Sequence, residues 1–415
     1  MKFSEIKELN PNIISDLSNR NIVTMTDIQE KAFKHILSGR DLIAASSTGS
    51  GKTLAYLIPI IMKLNPDCKN VQSIILVPTQ ELAAQINEQV SILLNSLNNS
   101  FQSNKTKGAI VSDLSVSETG ESNITSANKT SVKLCSQFVI GEGNINRQIE
   151  ALKSKPCILI GTPARILQLI QMKKLKVHEV KTLVLDEADK LCKKTYIEQI
   201  YAIRKCLMKR TQVLLFSASI DAHTRKTAND LTFKAIYMDI NANKSADSLI
   251  PKTIKHIYFL TERRERIEML RKVIAAAKPE KAMIFINSKY DLEESYQKLM
   301  YHNYSVDYIS SDKDKIGKKN AINNFKSGKT KYLLCTDIAA RGLQIDNVDV
   351  VINVTLPEES SEYLHRAGRC GRNGNKGTCI SILTENEINK IKKYQKDFKI
   401  NVVAKKLYQG KIVAK

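Results

Sequence analysis

Nine short runs of almost wholly apolar residues, each lying between longer stretches of mixed polarity, limit what this chain can fold into more than any other feature. In order they are DLIAAS, SIILVP, CILIGT, TLVLDE and VLLFSA, then AMIFIN, KYLLCT, VVINVT and TCISIL. A strand with one face in water alternates polar and apolar residues. These runs do not alternate, so both faces of each strand are expected to be covered, as in parallel sheets with helices on either side. The pattern runs twice, on either side of the polar segment NANKSADSLIPK. The expectation is an α/β protein of two tandem domains, 1–240 and 253–389, each a mostly parallel sheet with helices on both faces, joined by a linker at 241–252. At 415 residues the chain exceeds what one core usually sustains, which agrees.

Two segments depart from this rhythm. From about 95 to 131 the chain is rich in Ser, Asn and Thr with few large apolar residues, and reads as a surface insertion. From Lys390 to the end, nine lysines stand against one acid, Asp397, and 390–415 reads as a basic tail, an arm for nucleic acid. The whole chain carries a formal charge of +22, which points to a polyanionic partner. No apolar run approaches the roughly 18 residues of a membrane span, and the start lacks the apolar core of a secretory signal. A cytoplasmic protein without a membrane partner is expected. The eight cysteines form no CxxC pair and the six histidines do not cluster, so no zinc site is expected.

The chemistry begins at SSTGSGKT, Ser46–Thr53, which follows the apolar run DLIAA and precedes TLAYLIPIIMKL. A strand, a glycine-rich turn and a helix in this order cradle phosphate with backbone N–H groups at the helix N-terminus. Ser47, Thr48, Gly49, Ser50 and Gly51 are the expected cradle. Lys52 would reach the β- and γ-phosphates, and Thr53 would ligate Mg²⁺. Ser46 stands where the first glycine of that pattern is usual. The run TLVLDEAD then ends a buried strand in Asp186, Glu187 and Asp189, at the carboxyl end where ligands of open α/β sheets lie. Alone, these acids would suit a solvated turn. After a phosphate loop, Asp186 suits the metal and Glu187 the attacking water. In the second half YLHRAGRCGR offers His365, Arg366, Arg369 and Arg372, and arginines of this kind can meet a γ-phosphate from another domain.

Together these residues resemble the DEAD-box RNA helicases of superfamily 2, from Phe3 to about Leu383. The resemblance implies two RecA-like P-loop domains that close on ATP and single-stranded RNA, with ATP and Mg²⁺ as cofactors and a monomeric state. NIVTMTDIQ is similar to the family's adenine-reading Q motif, with Thr26, Gln29 and, upstream, Phe3 as the stacking aromatic; Met25 and Asp27 stand where prolines are usual. The resemblance further implies RNA contacts, through the backbone, from Pro78, Thr79 and Gln80, from Gly141 and Gly143, from Thr162, Pro163 and Arg165, and from Asn287, Lys318, Thr336 and Gly342. It gives Ser217, Ser219, Asp337 and Arg341 a role in coupling nucleotide state to closure, and puts Asp189 and Gln344 beside the nucleotide. Catalysis would fall to Lys52, Asp186, Glu187, His365, Arg369 and Arg372. Departures from the family pattern are Gln80 for an arginine, GEG at 141–143 for paired glycines, Ala164 for a glycine, Lys315 and Lys318 in the QxxR motif, SAS for SAT, and Gln344 for an aspartate, with Asp346 two residues on.

Two other readings share this chemistry. A DNA-directed motor of the same superfamily would be stimulated by DNA as well as RNA. An ATP-gated RNA clamp or assembly factor would turn over ATP while unwinding little. Nothing in the residues names the RNA; ribosome assembly and RNA turnover, with their proteins as partners, are the roles the family implies.

Overall fold

The computed structural model describes residues 1–46, 49–110, 133–240, 253–310, 312–340, 345, 348–371 and 376–414, with backbone alone for 100–110, 315 and 338. The chain forms two compact units divided after Ile240. The linker at 241–252, most of the insertion, and Ser47, Thr48, Arg341, Gly342, Gln344, Asp346 and Arg372 lie outside the described residues.

The first unit is built on seven strands, β1 (Leu42–Ala45), β2 (Ser73–Leu76), β3 (Ser136–Val139), β4 (Ile158–Gly161), β5 (Thr182–Asp186), β6 (Gln212–Ser217) and β7 (Ile236–Asp239). Their order is β3-β4-β2-β5-β6-β1-β7, and every pair is parallel. Successive residues pack into opposite layers: Leu42 and Ala44 enter one core cluster and Ile43 the other, while Val184 is separated in the same way from Leu183 and Leu185. This is the burial that the unbroken apolar runs required. The order sets β5, β6 and β1 side by side in mid-sheet, so that their carboxyl ends bring the DEAD acids, the SAS turn and the phosphate loop to one edge.

The second unit has eight strands, β8 (Ile254–Leu260), β9 (Ala282–Phe285), β10 (Val306–Ile309), β11 (Tyr332–Cys335), β12 (Val350–Asn353), β13 (Gly377–Leu383), β14 (Val402–Tyr408) and β15 (Lys411–Ala414). The order is β10-β11-β9-β12-β13-β8-β14-β15, with only β14 and β15 antiparallel. Both sheets match the expected fold class. β3, β7 and β10 are edge strands of mixed burial, and their sequences lack the fully apolar signature for that reason.

Two boundaries differ from the expectation. The segment from Lys390 is no appended tail: the helix Ile388–Phe398 buries Ile391, Tyr394 and Phe398, and β14 pairs in parallel with β8. The lysines of this helix occupy its outward positions, so a charge count alone conceals the apolar stripe. The insertion also begins later than its composition suggests. The helix that starts at Gln80 runs on to Ile110, Leu93 and Leu94 are buried, and Asn98 exchanges two hydrogen bonds with the backbone of Leu134.

Candidate functional site

The phosphate loop is held from the side by the Q-motif glutamine. Gly49 and Gly51 take φ of 79° and 87°, a region that L side chains rarely adopt. Gln29, 3% exposed, donates from Nε2 to the Gly51 carbonyl at 3.1 Å and accepts at Oε1 from the Thr26 N–H at 2.9 Å. A Cβ on Gly51 would lie 2.4 Å from that Nε2, so a side chain there would have to displace the Gln29 amide, in addition to the strain of its φ. Each half of the amide keeps a second valence, one proton and one lone pair, for a ligand. Thr26 and Gln29 thus sit together as expected. Phe3 does not present a stacking face: its ring is 1% exposed, inside the first core cluster.

From Gly51 the chain enters the helix Lys52–Met62, buried from Leu54 to Ile61. Lys52 Nζ donates to the Ser46 carbonyl at 2.6 Å, folded back over its own loop. Burial pulls its pKa down, while Asp186, Asp189 and Glu187 pull it up. Ser50 carries a buried hydroxyl with no hydrogen-bond partner among the described residues. An unsatisfied polar atom in a phosphate loop fits a loop completed by its ligand.

Asp186 ends β5 at 4% exposure. Its Oδ2 accepts from the Tyr56 hydroxyl at 2.8 Å and its Oδ1 from the Glu187 N–H at 2.9 Å. Burial pushes its carboxyl up to about 6, against the opposing pull of Lys52. A desolvated carboxylate and the Thr53 hydroxyl are hard oxygen donors, and such a set suits Mg²⁺, which binds through one or two carboxylates and keeps several waters. Glu187 has a left-handed backbone, φ 55°, and accepts from Lys190 Nζ at 2.7 Å. Asp189 reaches across to β6: the Ser217 hydroxyl lies 2.6 Å from Asp189 Oδ1 and 2.7 Å from the Ser219 carbonyl, and accepts from the Asp189 N–H at 3.2 Å. One hydroxyl proton serves one acceptor at a time, so Ser217 can bond either to the acid or to the SAS turn.

In the first unit the segments expected to grip RNA lie at two helix starts and on the turn at 141–143. Thr79 accepts at Oγ1 from the Leu82 N–H at 3.3 Å and starts the helix that follows; Gln80 is its first residue and Pro78, buried, accepts from the Tyr196 hydroxyl. Thr162 precedes, and Pro163 opens, the helix Pro163–Gln171. Arg165 is buried and donates from Nη1 to the Gly143 carbonyl at 3.0 Å and from Nη2 to the Gly141 carbonyl. Two of its five N–H donors go to the 141–143 turn, so in this structure Arg165 holds that turn in shape. Gly141 has open space where a Cβ would be, whereas one on Gly143 would meet Gln148 Nε2 at 2.1 Å.

In the second unit the motifs converge on Arg366, which the sequence groups with the arginines able to meet a γ-phosphate and which the fold instead buries. Arg366 is 2% exposed and donates from Nε and Nη2 to the two carboxylate oxygens of Asp337, both at 2.6 Å, and from Nη1 to Asn353 Oδ1 at 2.9 Å and the Thr355 carbonyl at 2.6 Å. The Phe285 ring lies 4.8 Å from its guanidinium carbon. Asp337 also accepts from Asn287 Nδ2 at 2.9 Å and donates its N–H to Asn287 Oδ1 at 3.2 Å. One arginine therefore joins three motif segments. The signal is present in the stripe Tyr363, Arg366, Ala367, spaced i, i+3, i+4: an arginine on the buried side of a helix needs a buried acid. His365 lies on the same helix and Arg369 just past its end, both partly exposed. Thr336 accepts at Oγ1 from the Ala339 N–H at 3.2 Å, and Lys318 lies in the helix Lys315–Lys326.

A phosphate loop and a carboxylate pair at the carboxyl ends of two strands separated by one other in a parallel sheet define a P-loop nucleoside triphosphatase, here followed by a second mostly parallel α/β unit. Comparison with known proteins narrows the class. The DEAD/DEAH box helicase model matches residues 26–125 and 116–227, and the model of the helicase conserved C-terminal domain matches 265–374. The chain is 33% identical over 408 residues to the DEAD-box ATP-dependent RNA helicase CshC of Bacillus cereus, covering 98% of this chain and 94% of that protein. It is 33% identical over 390 residues to the probable ATP-dependent RNA helicase YfmL of Bacillus subtilis, covering 94% and 93%. Among solved structures, S. cerevisiae Dbp5 bound to RNA and ADP BeF3 is similar with a TM-score of 0.79 at 26% identity, over 97% of this chain and 95% of that one. The chain belongs to the DEAD-box family of ATP-dependent RNA helicases. Among the described residues no helix is long and apolar enough to cross a membrane.

Proposed function

We propose that ATP on the first unit and single-stranded RNA on both units together favour a closed state, in which short RNA duplexes are locally separated and ATP is hydrolysed. The reading is carried by the contact between Asp189 and Ser217, which ties the acidic motif to the SAS turn and gives a change at the phosphates something to move. Lys52 leaves the Ser46 carbonyl for the phosphates, and Gln29 spends its second proton and lone pair on the adenine edge. Glu187 orients the attacking water, and Arg369 and Arg372 stabilise charge on the γ-phosphate, so hydrolysis depends on closure. Thr53 and Asp186 are the residues that would hold Mg²⁺, which neutralises phosphate charge when bound. Gly141, Gly143, Thr162, Thr336, Gly342, Asn287 and Lys318 grip RNA backbone, Asp337 and Arg341 relay closure, and reciprocity requires that RNA tighten ATP as much as ATP tightens RNA. The protein acts in this reading as a cytoplasmic monomer. ATPase measured with RNA and DNA oligonucleotides of one sequence, beside unwinding of a short RNA duplex, tests it. Stimulation by RNA with ATP-dependent unwinding is the expected result; equal stimulation by DNA, or no stimulation, overturns it.

A further inference from the structure

The lysines at 390–414 lie on folded elements. In the helix Ile388–Phe398 the buried positions are Ile391, Tyr394 and Phe398, so Lys392, Lys393 and Lys396 occupy the opposite side, with Lys399 at its end; all four are exposed. Beyond it, β14 and β15 form a hairpin closed by Gln409 and Gly410, whose φ values of 47° and 72° are both positive, the condition for a tight two-residue turn. The turn presents Tyr408 and Lys411 as a cross-strand pair, next to the pair of Lys406 with Val413. Tyr408 is 62% exposed.

Register sets these groups on one side of the sheet. Val402 is opposite His256, and side chains alternate along a strand, so Lys406 and Tyr408 share the face from which His256 meets the Tyr363 hydroxyl at 2.8 Å. Tyr363 in turn stacks on Tyr394 of the lysine-bearing helix, with ring centroids 4.8 Å apart. Helix and hairpin thus flank one face of the same sheet and together carry six exposed lysines, Lys392, Lys393, Lys396, Lys399, Lys406 and Lys411, none of which meets a carboxylate among the described residues. The one acid of the segment, Asp397, accepts from Ser360 Oγ.

We propose that this surface is a second RNA-binding site, which holds the strand flanking the stretch gripped by the motif loops; the inference rests on the reading of the chain as an RNA-dependent ATPase. Unpaired lysines neutralise phosphates, and an exposed tyrosine offers a stacking face to an unpaired base. A membrane surface fits poorly, because an interfacial helix turns its apolar side outward and here Ile391, Tyr394 and Phe398 point into the core.

The test uses the full chain with the six lysines changed to glutamine, and separately Tyr408→Ala, each assayed for RNA-stimulated ATPase on an RNA of about ten nucleotides and one of about forty. Glutamine keeps helix propensity and leaves every buried group in place. The lysine variant is expected to need about tenfold more of the long RNA for half-stimulation, with the log–log salt slope flatter by roughly 0.7 for each phosphate no longer neutralised. The short RNA and the maximal rate are expected to be unchanged. Tyr408→Ala should weaken long-RNA affinity severalfold and leave the salt slope alone. If the parent and the lysine variant show the same affinity and slope on the long RNA, the site is refuted, even if the surface is then found to hold an acidic protein or anionic vesicles. If RNA fails to stimulate the parent, the proposed function itself is wrong.

Discussion

Arg366 and Asp337 are joined by two parallel hydrogen bonds of 2.6 Å, in the interior of the second unit. The geometry matches the guanidinium fork to the carboxylate, and the remaining Nη1 protons go to Asn353 and Thr355. Arg366→Lys keeps the charge and loses the fork. Since breaking a buried pair leaves uncompensated polar atoms, a loss of about 3 kcal/mol in the second unit is expected. Hydrogen exchange at the β11 and β12 amides reads it; unchanged protection would show that the pair is not holding the motif segments together.

Glu187→Gln and Arg369→Ala separate binding from chemistry. The glutamine keeps the shape and leaves Asp186 to the metal, so ATP should bind while hydrolysis falls by about 10²–10⁴. With no quick route to reopening, this variant is expected to stay on RNA longer than the parent. Arg369→Ala removes a contact that the proposal reserves for the closed state, so RNA should leave early and hydrolysis should drop by about 10³ or more. RNA dissociation with ATP present decides: equal release by the two variants would contradict the clamp.

Gln29→Ala removes two internal hydrogen bonds as well as the proposed adenine contacts. At about 1 kcal/mol for each missing bond, ATP affinity should fall about tenfold or more, and the preference for ATP over GTP should disappear. Kd values for both nucleotides are the measurement, and an unchanged ratio would remove Gln29 from base recognition.

Arg165→Lys asks whether Arg165 shapes a loop or touches phosphate. A lysine keeps the charge but cannot reach two carbonyls with one planar group. Lysine and alanine are therefore expected to weaken RNA binding equally, with the parent's salt slope. Rescue by lysine would restore the role of direct contact.

His256 supplies a pH signature. Burial lowers its pKa to about 4, from 6.5 for the exposed ring. The unfolded chain takes up a proton near pH 6.5 and the folded one only near 4, so stability is full above pH 6.5 and falls as pH drops through that window, by up to about 3 kcal/mol. Denaturant midpoints at pH 7 and pH 4.5 should diverge less in His256→Gln than in the parent; the same divergence would place the acid sensitivity elsewhere.

The parts of the site legible in the sequence are those in which neighbours along the chain do the chemistry together. Gly49 to Thr53 and Asp186 to Asp189 are such stretches, and the nearly pure apolar strands before them announce their own burial. Arg366 and Arg165 escape such reading for a common reason: each is defined by partners far along the chain, as Arg165 is by the Gly141 and Gly143 carbonyls. Phe3 escapes it too, because its place inside the core is set by residues distant in sequence. Charge misleads in the same local way at Lys390–Lys415, where the outward lysines mask a stripe of Ile391, Tyr394 and Phe398. The departures at Gln80 and GEG leave no mark on the local backbone, since Gln80 still begins its helix and Arg165 still closes on the glycines.

The pairing of β14 with β8 also governs how the chain behaves when shortened. β8, Ile254–Leu260, reads IKHIYFL and carries one charged residue, Lys255. Within the sheet it is flanked by β13 on one side and β14 on the other. Cutting the chain before Val402 would bare the β14 side along an apolar, β-branched and aromatic stretch with neither proline nor glycine, the composition that recruits strands from other molecules. Such a truncated protein is expected to precipitate or form intermolecular sheet, and Lys405, Lys406 and Lys411 on the outermost hairpin then act as gatekeepers against self-association.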